Sequence, residues 1–155
     1  MTFHKLRINL SYIFLIFFLL LPSCKEIKED SKTKEIYLET LNYAREKNLK
    51  LILVFGADWC KDCRSLKERF VNHPNISSLI HSNFVVLNID VGQFDKNVEF
   101  AKNFGSPQDK GIPSLVIIDP SLNDKILAST NAGEFSNASN MKDESIENYL
   151  KKFIK

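Results

Sequence analysis

The sequence predicts one α/β sandwich: a mixed four-stranded sheet, or one slightly larger, flanked by helices. Three observations carry this. Lys50 to Gly56 encloses the unbroken apolar run Leu51-Ile-Leu-Val-Phe55, rich in strand formers and suited to a strand buried on both faces. Strand-like and helix-like segments then alternate, ending in a hairpin and a last helix, which is the order of a layered α/β domain. The chain has 155 residues, enough for one domain with a real core and too few for two.

The first segment stands outside that core. His4, Lys5 and Arg7 precede the apolar run Leu10 to Leu21, and Pro22-Ser23-Cys24 follows. A basic start, a short apolar stretch and a small residue before the break read as an export signal. The apolar run falls short of the roughly 20 residues of a bilayer-spanning helix. Leu21-Pro22-Ser23-Cys24 resembles the cleavage box of bacterial lipoproteins, which implies that Cys24 becomes the lipidated first residue; an uncleaved anchor and ordinary secretion are the alternatives. The expected division is a leader over 1–23, a tether over 24–33 and a domain over 34–155. Residues 25 to 33 are charged and aperiodic, which reads as a flexible tether reaching at most about 30 Å.

Within the domain, Ile36, Leu38, Leu41, Tyr43, Ala44 and Leu49 suggest a helix from 34 to 48. After the 50–56 strand, residues 60 to 71 form a helix with Cys63, Leu66 and Phe70 on one stripe. Pro74 starts a second short helix through Ile80. Phe84 to Asp90 is the second strand, and Asp95 is the expected cap of a helix carrying Val98, Phe100, Ala101 and Phe104. Gly105 to Gly111 is a loop into Pro113, and Leu115 to Ile118 is the third strand. A turn at Asp119 to Asp124 leads to a weaker fourth strand, Lys125 to Ser129, antiparallel to the third. Asn131 to Lys142 is polar and irregular, and Glu144 to Ile154 closes the chain as a helix. Phe84, Phe94, Phe100 and Phe104 read as core; Arg64, Lys67 and Arg69 read as a solvated helix face that an acidic partner could meet; His73 reads as a helix-end or surface residue.

The chain carries 21 basic and 19 acidic residues. Residues 1–23 hold Lys5 and Arg7 and no acid, so the remainder is formally neutral, with lysines interleaved among acids. A nucleic-acid surface needs a clustered basic excess, so that class of partner is set aside.

Chemistry enters at Cys60-Lys61-Asp62-Cys63, where the first strand gives way to a helix. Residues i and i+3 share a helix face, so the two sulfurs can close a small disulfide. The first sulfur stands where unpaired backbone N–H groups and the positive end of the helix dipole favour a thiolate, the attacking species in disulfide exchange. So short a loop restrains little unfolded-chain entropy, which makes a purely structural bond a poor reason for this spacing. Metal binding is the other bland reading. Zinc sites normally need four ligands, and past the leader only His73 and His81 could join the pair, neither at a ligand spacing.

Phe55-Gly-Ala-Asp-Trp-Cys60-Lys-Asp-Cys63 resembles the active-site turn of thioredoxin-fold proteins, including the tryptophan before the first cysteine. Gly111-Ile112-Pro113-Ser114, followed by Leu115 to Asp119, resembles the cis-proline loop that faces the cysteine pair in that fold. Ala57 to Cys60, with Phe70-Val71, Pro74 and Asn83 to Asp90, is similar to the C-terminal domain of membrane thiol-disulfide interchange reductases and to stand-alone exported thioredoxin-family proteins. The resemblance covers residues 34 to 155. It implies that the first and third strands lie side by side, which sets the Cys60 turn against Ile112-Pro113. It also implies a catalytic pair, Cys60 as nucleophile and Cys63 as resolving thiol, with Cys60 the more exposed and partly shielded by Trp59. Trp59, Ile112 and Pro113 would contact substrate, the last two by a form of strand addition. Lys61 and Asp62 would tune the pair, Lys61 favouring the thiolate and Asp62 and Asp58 opposing it. No cofactor beyond the Cys60–Cys63 disulfide is implied.

Two departures matter. Many thioredoxins carry a buried Asp six positions before the first cysteine, where this chain has Val54, so proton transfer must use water or another group such as Asp58. Lys-Asp replaces the Gly-Pro of thioredoxin between the cysteines, so the direction of electron flow does not carry over.

The expected function is thiol-disulfide exchange, with reduction of exported proteins leading. A membrane electron donor of the interchange-reductase type would recharge the pair, because no soluble reductant pool is expected outside the cytoplasm. The expected location is the bacterial cell envelope, lipid-anchored, with the domain facing the periplasm or exterior. An oxidase or isomerase using the same pair, and a non-catalytic lipoprotein binding module, are the alternatives.

Overall fold

The computed structural model describes residues 24–154. The leader assigned to 1–23 lies outside the described residues, as does the side chain of Cys24. The elements, in order, are α1 (Cys24–Glu46), β1 (Lys50–Gly56), α2 (Lys61–Asn72), α3 (Pro74–Asn83), β2 (Phe84–Asp90), α4 (Val98–Lys102), β3 (Ser114–Asp119), β4 (Lys125–Ser129) and α5 (Asp143–Lys151). Short 3₁₀ turns occupy Pro107–Lys110, Pro120–Leu122 and Ala138–Asn140. The sheet has four strands in the order β2-β1-β3-β4. β1 runs parallel to β2, and β3 is antiparallel to both β1 and β4. This is the mixed sheet flanked by helices that the element order predicts, with the first and third strands adjacent.

Alternation along β1 builds the two cores. Leu51, Leu53 and Phe55 face one side of the sheet, packing with Leu41 and Ala44 of α1 and with Phe100 and Ala101 of α4. Ile52 and Val54 face the other, with Leu66 and Phe70 of α2, Ile76 of α3, and Ile146 and Leu150 of α5. Both layers are covered, so β1 and β3 carry buried side chains on consecutive positions.

Three expectations are corrected here. Residues 24–33, read as a flexible tether, are the opening turns of α1. The contacts that fix this helix are remote in sequence. Asp30 Oδ1 accepts from Phe100 N–H at 3.2 Å. Tyr37 packs edge-on against Phe100 and Phe104, with ring centroids 5.5 and 5.7 Å away. Asp95 does not cap α4: its carboxylate accepts from Gln93 N–H, and the cap position is Asn97, whose side chain makes no capping bond to the helix. Asp30 supplies an acceptor for that helix end from across the layer. Phe94, read as core with the other three phenylalanines, is 49% exposed.

Asp30→Ala removes the acceptor of a helix-terminal N–H, by analogy with the loss of a helix cap. The expected cost is about 1 kcal/mol of unfolding free energy, read from denaturant titration of the purified domain. No change in midpoint would mean that α1 holds α4 without this bond.

Candidate active site

β1 ends at Gly56, which leaves room for Cys63: a Cβ there would lie 3.2 Å from Cys63 Sγ. The chain then turns through Ala57-Asp58-Trp59, closed by Cys60 N–H donating to the Ala57 carbonyl at 3.1 Å. Cys60 is the N-cap of α2, in extended backbone geometry. Its Sγ accepts from Cys63 N–H at 3.1 Å, the bond a capping side chain makes to a free helix-terminal donor. That donor and the helix dipole both favour negative charge at Cys60. Cys60 and Cys63 form a disulfide, their Cα atoms 5.2 Å apart. Among the described residues no group of three or more His, Cys, Asp or Glu side chains gathers as a metal site. The disulfide itself is the redox-active feature.

The second half of the site arrives with β3. Antiparallel pairing sets Phe55 against Ser114, so the loop before Ser114 meets the turn after Phe55. The Ile112–Pro113 peptide bond is cis. Cys60 Sγ lies 3.6 Å from the Ile112 carbonyl oxygen. Ile112 and Pro113 are both buried.

The relative exposure of the two cysteines is the reverse of that expected. Cys60 is only 5% exposed and belongs to the core with Ala57 and Ile112. Cys63 is half-buried and lines an open cleft of about 180 Å³. Cys60 packs within the first core beside Ala57 and Ile112, while Cys63 only borders that core. Val54, Asp58, Lys67, Asn88 and Asp90 share the walls of the cleft. The position where many thioredoxins keep a buried Asp is thus a buried valine, Val54, at the wall of this cleft, which Asp58 also lines.

Trp59 is half-exposed, its indole N–H donating to the Gly92 carbonyl at 2.7 Å. Phe94 meets it edge-on, with centroids 6.0 Å apart. Lys61 is exposed. Asp62 Oδ1 accepts from Ser139 N–H at 2.7 Å, tying the residues between the cysteines to the Asn131–Lys142 segment. That bond, with help from Lys61, holds the Asp62 carboxyl below the usual carboxylate range.

Sequence reasoning passed over this segment as polar and irregular. Yet Phe135 and Ala138 are buried in the second core, and Arg69 donates to the Ala138 carbonyl and pairs with Asp143 at 2.9 Å. Arg69 is therefore engaged; Arg64 and Lys67 are exposed on the helix face, Arg64 donating to the Asp58 carbonyl at 2.6 Å. His73 caps α3, its Nδ1 3.4 Å from Ile76 N. The same segment packs on the approach to Ile112. Gly133, at φ +74°, would place a Cβ 2.7 Å from the Lys110 carbonyl, and Gly111, at φ +123°, would place one 2.8 Å from Ser136 Cβ. The segment thus braces both halves of the site. The available signal was Gly133-Glu134-Phe135, a glycine and an aromatic inside an otherwise polar run.

A family model described as thioredoxin-like matches residues 33–120. A solved structure titled a disulphide isomerase, from Xylella fastidiosa, is 33% identical with a TM-score of 0.74, over 79% of this chain and 92% of that one. The oxidised C-terminal domain of DsbD from Neisseria meningitidis is similar in fold, at 16% identity and a TM-score of 0.55, over 77% of this chain and 94% of that one. Anterior gradient protein 3 of Mus musculus is 29% identical over 94 residues, 61% of this chain and 53% of that protein. The chain spans 46–60% of the length of the anterior gradient proteins it matches.

Asp62→Asn keeps the oxygen acceptor and removes the charge, imitating the protonated acid. A carboxyl whose folded-state pKa is depressed stabilises the fold above its unfolded value, near 3.9, and loses that contribution as pH falls through the folded value. Asp62→Asn is therefore expected to destabilise by up to about 1 kcal/mol at pH 7, given solvent screening, and by nothing in strong acid. Denaturant midpoints of both proteins from pH 7 to pH 2 check this; a pH-independent difference would contradict it.

Proposed function

The chain belongs to the thioredoxin-like family, and on that premise we propose that it is a thiol-disulfide oxidoreductase that reduces disulfides of exported polypeptides. The observation that carries this reading is the position of Cys60. Its sulfur accepts the Cys63 N–H at a helix N-terminus and lies 3.6 Å from the Ile112 carbonyl, where an extended substrate segment would run.

In the dithiol state the Cys60 thiolate attacks one sulfur of a substrate disulfide. The substrate S–S bond breaks, its second sulfur leaves as a thiolate and takes a proton, and Cys60 is joined to the first. Cys63 then loses its proton to the solvent or to Asp58 across the cleft and attacks Cys60 Sγ. The Cys60–Cys63 bond forms and the first substrate sulfur leaves as a thiol. Two electrons have passed to the substrate. A dithiol donor at the membrane returns them by the same exchange in reverse.

A second reading has its own support. The Xylella chain, 33% identical, is titled a disulphide isomerase. In isomerisation Cys60 attacks in the same way, but a thiol of the substrate resolves the mixed disulfide and no net electrons move.

The leader pattern ending at Cys24 supports a lipid-anchored protein of the bacterial envelope. In the native host, Cys24→Ala is expected to shift the protein from the membrane to the soluble fraction; unchanged membrane retention overturns the anchor.

The activity is tested with the reduced protein and a disulfide-bonded polypeptide, counting the thiols released. Cys60→Ser is expected to abolish turnover, at least a hundredfold, and Cys63→Ser to accumulate a mixed disulfide visible by mass. Turnover that survives Cys60→Ser overturns the reading. If Cys63→Ser still reshuffles scrambled disulfides at the parent rate while net reduction by the parent is absent, isomerisation replaces reduction.

A further inference from the structure

Phe94 is out of place by two physical measures. It is a bulky residue at φ +65°, the left-handed region where a β-carbon is disfavoured and where glycine or asparagine is the usual occupant. It is also 49% exposed, an aromatic ring left in solvent by a chain that buries Phe84, Phe100 and Phe104. Neither backbone geometry nor core packing accounts for a phenylalanine here. Strained positions of this kind persist when their surroundings over-determine them, and they gather at binding and catalytic sites.

The surroundings do over-determine it. Asp90 Oδ1 accepts from Gly92 N–H at 2.9 Å, and Asp95 Oδ1 accepts from Gln93 N–H at 2.8 Å. Asn97 Nδ2 donates to the Asp90 carbonyl at 2.8 Å, and Asp95 N–H donates to the Val91 carbonyl at 3.1 Å. The loop is thus pinned at both ends, and it holds Phe94 against Trp59, which adjoins the nucleophilic cysteine. Trp59 is itself fixed by its bond to the Gly92 carbonyl. Two half-exposed aromatic rings meet at right-angle-like tilt, 61° between planes, beside Cys60.

We propose that Phe94 is a specificity-determining residue: with Trp59 it forms an aromatic shelf that takes an apolar side chain of a disulfide-bonded polypeptide, two positions from the reacting cysteine. This rests on the exchange reading above. A substrate segment extended along Ile112 turns its cysteine toward Cys60. In an extended chain the residue two positions away points to the same face, about 7 Å further along. That residue meets the shelf, while the immediate neighbours of the cysteine point away from it. Contact with the two rings removes apolar surface from water on both sides, which selects for leucine- or phenylalanine-sized groups over polar ones. The chemistry at sulfur is the exchange already written, with no additional reactant.

The test uses two disulfide-linked peptides identical except for leucine or serine two positions to either side of the cysteine. The parent is expected to favour the leucine peptide at least fivefold in kcat/KM. Phe94→Gly suits the left-handed backbone, so it removes the ring without misfolding the loop, and its thermal midpoint should not fall. In that variant the preference is expected to shrink to within twofold. An undiminished preference, or a loss of rate by the same factor on both peptides, overturns the shelf. A measurement without exchange separates this from failure of the proposed activity. Trp59 is the only tryptophan of the chain, so its emission reports on the shelf. In Cys60→Ser protein, the leucine peptide with its cysteine replaced by serine is expected to shift that emission at lower concentration than the serine peptide, and to lose this advantage when Phe94→Gly is added. Equal titrations of both peptides overturn the shelf even if exchange is active, and unequal ones sustain it even if exchange is absent.

Discussion

The pairing of β1 with β3 is the constraint on which the rest of the site depends. Cys60 and Pro113 are far apart in the chain, and no local preference brings them together. Five antiparallel partners, from Leu51 with Ile118 to Phe55 with Ser114, set the turn after β1 beside the loop before β3. Both strands are buried on both faces, so a slip of one residue would turn every side chain to the opposite core. The register is therefore held by the two cores. The 3.6 Å approach of Cys60 Sγ to the Ile112 carbonyl is a consequence of that packing.

What was legible in the sequence was local. Lys50–Gly56, Phe84–Asp90 and Lys125–Ser129 are strands with the bounds their composition indicates, because β-branched and aromatic runs between turn residues specify them without help from elsewhere. The cysteine motif at a strand-to-helix junction was legible for the same reason. The features that were misread depend on remote contacts. The opening of α1 looks charged and aperiodic because part of what fixes it is remote: Asp30 at Phe100, and Tyr37 against Phe100 of α4 and Phe104 just beyond that helix. The Asn131–Lys142 segment looks like a loop because its ties are to Asp62, Arg69 and Lys110, none of them near in sequence. Phe94 looks like core because an aromatic usually is; only the backbone angle and the neighbouring Trp59 separate it from Phe100.

Bracing from three sides gives the site its rigidity. Asp62 fastens the helix start to Ser139, the same segment packs on Gly111, and Gly92 receives the Trp59 indole. Two of these ties are hydrogen bonds to a backbone group, Ser139 N–H and the Gly92 carbonyl. Backbone donors and acceptors have few ways to move once their strands and helices are packed, so these two bonds help fix the geometry around the cysteines.

The unequal burial of the two sulfurs then gives the proposed cycle its direction of approach. Cys60 packs with Ala57 and Ile112, and in the proposed cycle a substrate sulfur would approach it from the side that Trp59 and the Ile112 backbone border. A globular disulfide buried in its own fold cannot present itself along that line; an extended or partly unfolded segment can. Cys63, by contrast, faces a cleft walled by Val54, Asn88 and Asp58. Its proton must leave before it can attack Cys60, because the thiolate is the nucleophile. Where a buried carboxylate would serve that need from inside, this chain leaves an apolar valine and an opening. In the proposed cycle substrate would come to one sulfur while the proton leaves from the other, and the hydrogen bond from Cys63 N–H would steady charge on Cys60.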